Sequence, residues 1–286
     1  MKGLKRIILI PNATKDKQLT LTGVIAEKLL SMGFECFFER RYEGMIDGVS
    51  FYDELPRADL VVVVGGDGSV IDASCIAVKY DIPLLGINLG KVGYLTEVEP
   101  DSLALLDRLA SGDYRTDEKM MLAVEKLCAD GSSRLSERFG VNDVVISHDD
   151  YFGIADFTLE NCHGDRVKYR ADGIVISTPA GSTAYSLSAG GPIVSHDLDS
   201  ITVTPVCPHS FFNRSVVFAP DERLKISNAG ENPLNISVDG RYFATLDIGE
   251  KCLIYRSEHK FKVLTFAESN MFTTLFNKIK IISDNA

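Results

Sequence analysis

Five consecutive apolar residues, Leu60-Val61-Val62-Val63-Val64, run without interruption into Gly65-Gly66-Asp67-Gly68-Ser69. Side chains alternate between the two faces of a strand, so a strand apolar at every position must be covered on both faces. That is the pattern of a central strand in a parallel sheet with helices on either side. The surrounding residues supply the other parts. Residues 6–10 are a short apolar run ended by Pro11-Asn12, and residues 19–32 carry Leu21, Val24, Ile25 and Leu29 at helical spacing before Gly33. Residues 34–38 read as a strand, 70–80 as a helix and 83–87 as another buried strand. The alternation predicts an open α/β domain over residues 1–119, with ligands expected at the carboxyl ends of its strands.

From about residue 122 the texture changes to short alternating runs separated by turn signals such as Asn161-Cys162-His163-Gly164 and Asp239-Gly240. This predicts a carboxy-terminal antiparallel β domain over residues 120–265, in a fold class of α/β plus all-β. Residues 266–286 form a last segment, in which 271–282 have helical spacing and are expected to return to the first domain as a helix. With no long linker, the two domains are expected to share a close cleft.

A chain of 286 residues with 45% hydrophobic content can supply two cores. Its formal charge of -10 argues against nucleic acid and anionic lipid as partners, so an anionic ligand needs a local cradle or a metal. The opening apolar run is too short for a secretory core and no later run reaches membrane-spanning length, so a cytoplasmic location is expected. The six cysteines are scattered, with no Cys-x-x-Cys pair, and read as reduced, mostly buried small hydrophobes. His148, His163, His196 and His259 lie in polar or turn-like surroundings, without metal-ligand spacing, and are expected at the surface; no protein-held metal is expected. For His209, structural and oligomer-contact roles stay open.

Three segments carry chemistry. In Gly65-Gly66-Asp67-Gly68-Ser69 the glycines let backbone N–H groups approach a phosphate, and the helix start adds a favourable partial charge. Asp67 is out of place in an anion cradle unless it holds a metal or takes a proton from an attacking hydroxyl, both kinase roles; the bland alternative is turn geometry or capping. The third glycine of a dinucleotide fingerprint would fall on Ile71, and Gly86 to Val92 is one residue short of a Walker loop, so neither of those motifs is present. The second segment runs from Arg170 through Asp172 to Pro192, an apolar strand that empties into small and hydroxyl residues able to frame a flat ring. A Ser/Thr-rich surface loop is the alternative. The third is Asn142-Asp143, an amide beside a carboxylate suited to two adjacent sugar hydroxyls, provided that the strand ends or bends there; a solvated strand end is the alternative.

Taken in order with Asn88 to Thr96, residues 204–209 and Ser237-Val238-Asp239-Gly240, these segments resemble the NAD kinase family over most of the chain. The resemblance implies transfer of the γ-phosphoryl group of ATP to the 2′-hydroxyl of NAD's adenosine ribose, with Mg²⁺ or another divalent metal accompanying ATP. It implies Asp67 as general base, Gly65, Gly66, Gly68 and Ser69 as the phosphate loop, and Asn142 and Asp143 on the adenosine ribose. Thr183, Ala184 and Ser188 match adenine-binding positions, with Tyr185 and Tyr94 packing nearby. Asp172 and Cys207 match the nicotinamide side, and Arg170 matches a phosphate contact. A homodimer or homotetramer is implied, and polyphosphate is an alternative donor. Asp143 stands where the family more often has Glu, Tyr94 where Phe is frequent, and Ala180 where some members have Ser. Two other readings stay open: a diacylglycerol-type lipid kinase, which shares the Gly-Gly-Asp-Gly loop, and a non-catalytic NAD(P)-binding regulator.

Overall fold

The computed structural model describes residues 4–90, 93–148 and 153–266. These fall into two compact units, one of residues 4–118 and 261–266, the other Lys119–Lys260. The expected helix over residues 271–282 lies outside the described residues.

The first unit is built on β1 (Arg6–Pro11), β2 (Glu35–Glu39), β3 (Ser50–Tyr52), β4 (Leu60–Gly65), β5 (Leu84–Asn88) and β6 (Arg115–Lys119), with helices α1 (Thr20–Ser31), α2 (Asp67–Lys79) and α3 (Asp107–Ser111). A last strand, β19 (Phe261–Thr265), enters the same sheet, giving the order β3-β2-β1-β4-β5-β19-β6. All pairs from β3 to β19 are parallel. Every residue of β4 is buried, as its unbroken apolar pattern requires. Val62 and Val64 share a core with Ile25 and Leu29 of α1 and with Ile7, Leu9 and Phe38, while Val61 and Val63 are covered on the opposite face. Full burial of each such side chain is worth about 1.5–3 kcal/mol relative to exposure. The strand order reverses direction at β1, so the crevice between the carboxyl ends of β1 and β4 is the topological switch point of the sheet.

Two expectations are corrected here. Helix α2 begins at Asp67, three residues earlier than its apolar spacing suggests, because Gly66 takes an extended N-cap conformation (φ -103°, ψ -174°) and an acid is favourable in the first helical turn. The chain also re-enters the first sheet as a strand, β19, which no local pattern separates from the preceding β texture.

The second unit contains two six-stranded sheets. One holds β7 (Leu122–Leu127), β8 (Ser133–Leu135), β10 (Ala155–Glu160), β11 (Arg166–Ala171), β15 (Arg223–Asn228) and β18 (Lys251–Arg256). The other holds β9 (Asp143–His148), β12 (Gly173–Ser177), β13 (Ile201–Val206), β14 (Val216–Phe218), β16 (Leu234–Val238) and β17 (Arg241–Leu246). Every pairing between neighbouring strands of these two sheets is antiparallel. Alternate residues of both sheets, such as Val124, Phe157 and Ile226 from the first and Val144, Ile174 and Ile236 from the second, form one shared core. The single-turn helix α4 (Tyr185–Ser188) follows β12 by way of a 3-10 turn at Ala180–Thr183.

Candidate functional site

In the first unit, the ends of β1, β4 and β5 are tied into one surface. Asn12, directly after β1, donates from its backbone to the Val64 carbonyl (2.8 Å) and from Nδ2 to Ser69 Oγ (2.8 Å) in the first turn of α2. Leu89, after β5, donates to the Gly65 carbonyl at 2.8 Å. A Cβ at Gly65 would meet the Ser69 hydroxymethyl group and Asn12 Cβ, so only glycine permits this approach. Lys15 extends across the same surface: a Cβ built on Gly66 would lie 3.0 Å from its Nζ, and one on Gly90 would lie 3.9 Å away.

Asp67 is half-buried at the start of α2. Its Oδ1 accepts the backbone N–H groups of Tyr94 and Leu95 at 2.9 Å each, and its Oδ2 accepts that of Tyr94 at 2.8 Å. The carboxylate thus organises the loop after β5, a structural role beyond the turn geometry weighed from sequence. Tyr94 is held beside it, and burial together with the Asp67 charge pushes the Tyr94 phenol above its ordinary pKa. Lys91 and Val92 lie outside the described residues.

In the second unit, β9 begins at Asp143, leaving Asn142 just before the strand, which is the break that a joint role of the pair requires. A second carboxylate enforces it. Asp239, in the turn between β16 and β17, accepts the N–H groups of Val141 (2.8 Å, Oδ2), Asn142 (2.8 Å, Oδ1) and Asp143 (3.0 Å, Oδ1). Its backbone is left-handed, with φ of 48°. Burial raises the Asp239 pKa, while the three amides oppose the rise. Asp143 is buried, and desolvation with the facing Asp239 charge pushes its carboxyl up to about 7.

The segment after β12 is fastened onto this turn. The Thr178 N–H donates to the Asn142 carbonyl at 2.9 Å and its hydroxyl to the Val141 carbonyl at 2.7 Å, then accepts the Gly181 N–H at 3.0 Å. Gly181 lies directly against the Asn142 backbone, where any Cβ would overlap the carbonyl. Behind it, Ser186 Oγ bonds Thr204 Oγ1 (3.2 Å), which donates to Ser215 Oγ (3.0 Å). The hydroxyl residues are therefore partly framework: Ser182 and Ser186 are buried, whereas Thr183 and Ala184 are half-buried and Tyr185 and Ser188 exposed. Partial desolvation pushes the Tyr185 phenol above its ordinary pKa, and the charges of Cys207, Asp143 and Asp172 add to the rise. Asp172 lies between β11 and β12 and donates its N–H to the Val206 carbonyl (3.0 Å), next to Cys207, whose φ is 45°.

Each unit thus assembles its own subset of the expected residues. Arg170 behaves differently, lining a cavity of about 480 Å³ with His148, Asp156 and Asn228, none of which belongs to the expected adenosine set. His148, expected at the surface, is half-buried, with its Nδ1 enclosed and unpaired. Only Cys36 and Cys252 are buried; Cys75 and Cys128 are half-buried, and Cys162 and Cys207 exposed, because loops rather than strands carry the last two. Cys162, His163 and Glu222 bring their ligand atoms within 4.8 Å of one another, a proximity that sequence spacing did not reveal. Sequence reasoning also missed Asn12, read only as the end of a strand, Lys15, which was given no role, and the clamp of Asp239, read as a turn signal. No helix among the described residues is long and apolar enough to cross a membrane.

Comparison with known proteins gives consistent relatives for both units. Residues 50–114 match the family model of the ATP-NAD kinase N-terminal domain, and residues 141–266 that of the ATP-NAD kinase C-terminal domain. The NAD kinase of Caldanaerobacter subterraneus subsp. tengcongensis is 31% identical over 282 residues, covering 96% of this chain and 99% of that protein. Yeast NADH kinase, solved in complex with NADH, superposes with a TM-score of 0.86 at 20% identity over 96% of this chain and 87% of that one. An NAD kinase from Archaeoglobus fulgidus, solved in complex with ATP, gives 0.72 at 21% identity over 96% of this chain and 99% of that one. At such identity the two structures speak for the fold, which joins a mixed α/β unit to antiparallel β sheets as here.

Proposed function

This chain belongs to the NAD kinase family of enzymes, and from that premise we propose that it transfers the γ-phosphoryl group of ATP to the 2′-hydroxyl of NAD's adenosine ribose, giving NADP and ADP. The observation that carries the reading is the placement of Asp67: a half-buried carboxylate in the first turn of the helix that follows the glycine turn, fixed by two backbone amides. Those amides leave lone pairs on the carboxylate, enough to take one proton from an incoming hydroxyl. A sugar hydroxyl is a weak nucleophile at neutral pH, and a positioned base contributes on the order of 10²–10⁴-fold. In-line placement and neutralisation of phosphate charge supply the remainder.

Gly65, Gly66, Gly68 and Ser69 receive the donor's phosphates. Ser69 Oγ and the lone pairs left on Asp67 are the oxygen donors that would face a divalent cation accompanying the donor, which would supply neutralisation of phosphate charge there. Asn142 and Asp143 hold the ribose, Thr183, Ala184 and Ser188 the adenine, with Tyr185 and Tyr94 packing against it. Asp172 and Cys207 belong to the nicotinamide side. The departure of Arg170 into a different recess weakens its assignment as a phosphate contact in an isolated chain, although a homodimer or homotetramer would change its neighbours. Cytoplasmic location fits a family that consumes NAD and ATP. Incubation of the purified protein with NAD, ATP and Mg²⁺, read with an NADP-specific dehydrogenase, tests the reaction. NADP at enzymatic rates is the expected result, and its absence with both ATP and polyphosphate would overturn it.

A further inference from the structure

The ammonium of Lys15 occupies an unusual position for a surface lysine. Its backbone is fixed by a knot around Asn12: the Lys15 N–H donates to the Asn12 carbonyl (3.0 Å) and to Asn12 Oδ1 (3.2 Å), while Oδ1 also accepts the Thr14 N–H (3.2 Å) and hydroxyl (2.6 Å). Asn12 Nδ2 in turn bonds Ser69, so the base of the Lys15 side chain is held in register with the glycine turn. The side chain then lies over Gly66 and Gly90, which approach each other so closely that a Cβ on Gly90 would be 4.0 Å from the Gly66 Cα.

No carboxylate among the described residues pairs with this cation. The adjacent Asp16 is buried and spends its carboxylate on the Leu21 and Thr22 amides, at 3.1 and 2.8 Å. Asp67 is engaged by the loop amides at Tyr94 and Leu95. An unpaired ammonium over a floor of bare backbone, at the carboxyl ends of three parallel strands, is placed to meet a phosphate. Lysine meets phosphate as a point charge, and such charge-assisted bonds are about twice as strong as neutral ones.

We propose that Lys15 grips the donor's phosphate chain from above, pressing it onto Gly66 and Gly90, so that the donor is held by a residue some fifty positions before the glycine turn. The proposal rests on the reading that this chain phosphorylates NAD from a phosphate-chain donor, and it adds a binding residue to that reaction.

Lys15→Met removes the charge without removing a hydrogen bond or ion pair seen in the structure, so the variant is expected to fold, with an unchanged melting temperature as the check. Two measurements are paired on wild type, Lys15→Met and Lys15→Arg. The first is kcat/KM for ATP at saturating NAD; the second is calorimetric binding of inorganic tripolyphosphate, with NAD binding titrated alongside. Lys15→Met is expected to lose about tenfold or more in kcat/KM for ATP and a similar factor in tripolyphosphate affinity, with NAD affinity within about twofold of wild type and Lys15→Arg largely restored. Losses under about threefold in both readouts overturn the role of Lys15 while NADP formation by wild type keeps the reaction. If wild type makes no NADP yet binds tripolyphosphate through Lys15, the reaction falls and the anion grip stands. If it does neither, both fall.

Discussion

Asp67 in the first unit accepts amides from Tyr94 and Leu95, and Asp239 in the second accepts those of Val141, Asn142 and Asp143. Both carboxylates hold a loop by its backbone, and both lie within two residues of the end of a strand. They differ in what else surrounds them. Asp67 stands beside an exposed glycine at the start of a helix, with lone pairs left over. Asp239 faces a second buried carboxylate, Asp143, and its pKa is raised mainly by desolvation. The same clamp geometry therefore leaves lone pairs on one acid and commits the other to holding Asn142 and Asp143 in place.

Asp67→Asn separates the two roles most sharply. The amide oxygen still accepts from Tyr94 and Leu95, so NAD binding and stability should persist while single-turnover rates fall by about 10²–10⁴-fold. A near-normal rate would reduce Asp67 to a clamp like its counterpart. Asp239→Ala should do the reverse, stranding three amides and costing about 3 kcal/mol in urea unfolding, with Asp239→Asn recovering much of that. A loss below about 1 kcal/mol would mean that water replaces the clamp at no net cost.

The facing pair adds a pH signature. The folded pKa of Asp143, about 7, lies above the ordinary carboxyl value of 3.8, so the native state holds the proton more tightly. The contribution of Asp143 to stability is greatest on the acid side and is lost as pH rises from about 4 to about 7, where the unfolded chain is already ionised. Thermal melts across that window should show a steeper decline for wild type than for Asp143→Asn; parallel curves would place the titration elsewhere. The smallest effects should come from paired glycines. Gly181→Ala puts a methyl against the Asn142 backbone and should destabilise by about 1–3 kcal/mol with a raised KM for NAD, whereas Gly93→Ala meets mainly the Thr96 side chain and should cost less. Equal losses would show that the Thr96 side chain is as immovable as backbone.

What was legible in the sequence follows the range of the interactions. The burial of Leu60 to Val64 is encoded in five adjacent residues, and the change from α/β to antiparallel texture near residue 122 in local alternation. The glycine turn and Asn142-Asp143 could be singled out because their chemistry sits in neighbouring positions. Asp239 reaches residues 96 to 98 positions away, and Lys15 reaches Gly66 across a helix and three strands; no periodicity records either. The start of α2 was misplaced for a different reason, since Asp-Gly-Ser lacks the apolar spacing that marks helices yet suits a first turn.

The position of β19 bears on how the molecule is made. Strand β6 finds its neighbour, and β5 completes its outer edge, only when Phe261–Thr265 arrives, after the whole of Lys119–Lys260 has been synthesised. On a ribosome the antiparallel unit can close while β6 and the Leu84 end of β5 still lack their partner, the kind of surface that invites pairing with another chain. Nascent chains stalled before residue 261 should therefore be the ones that chaperones hold longest.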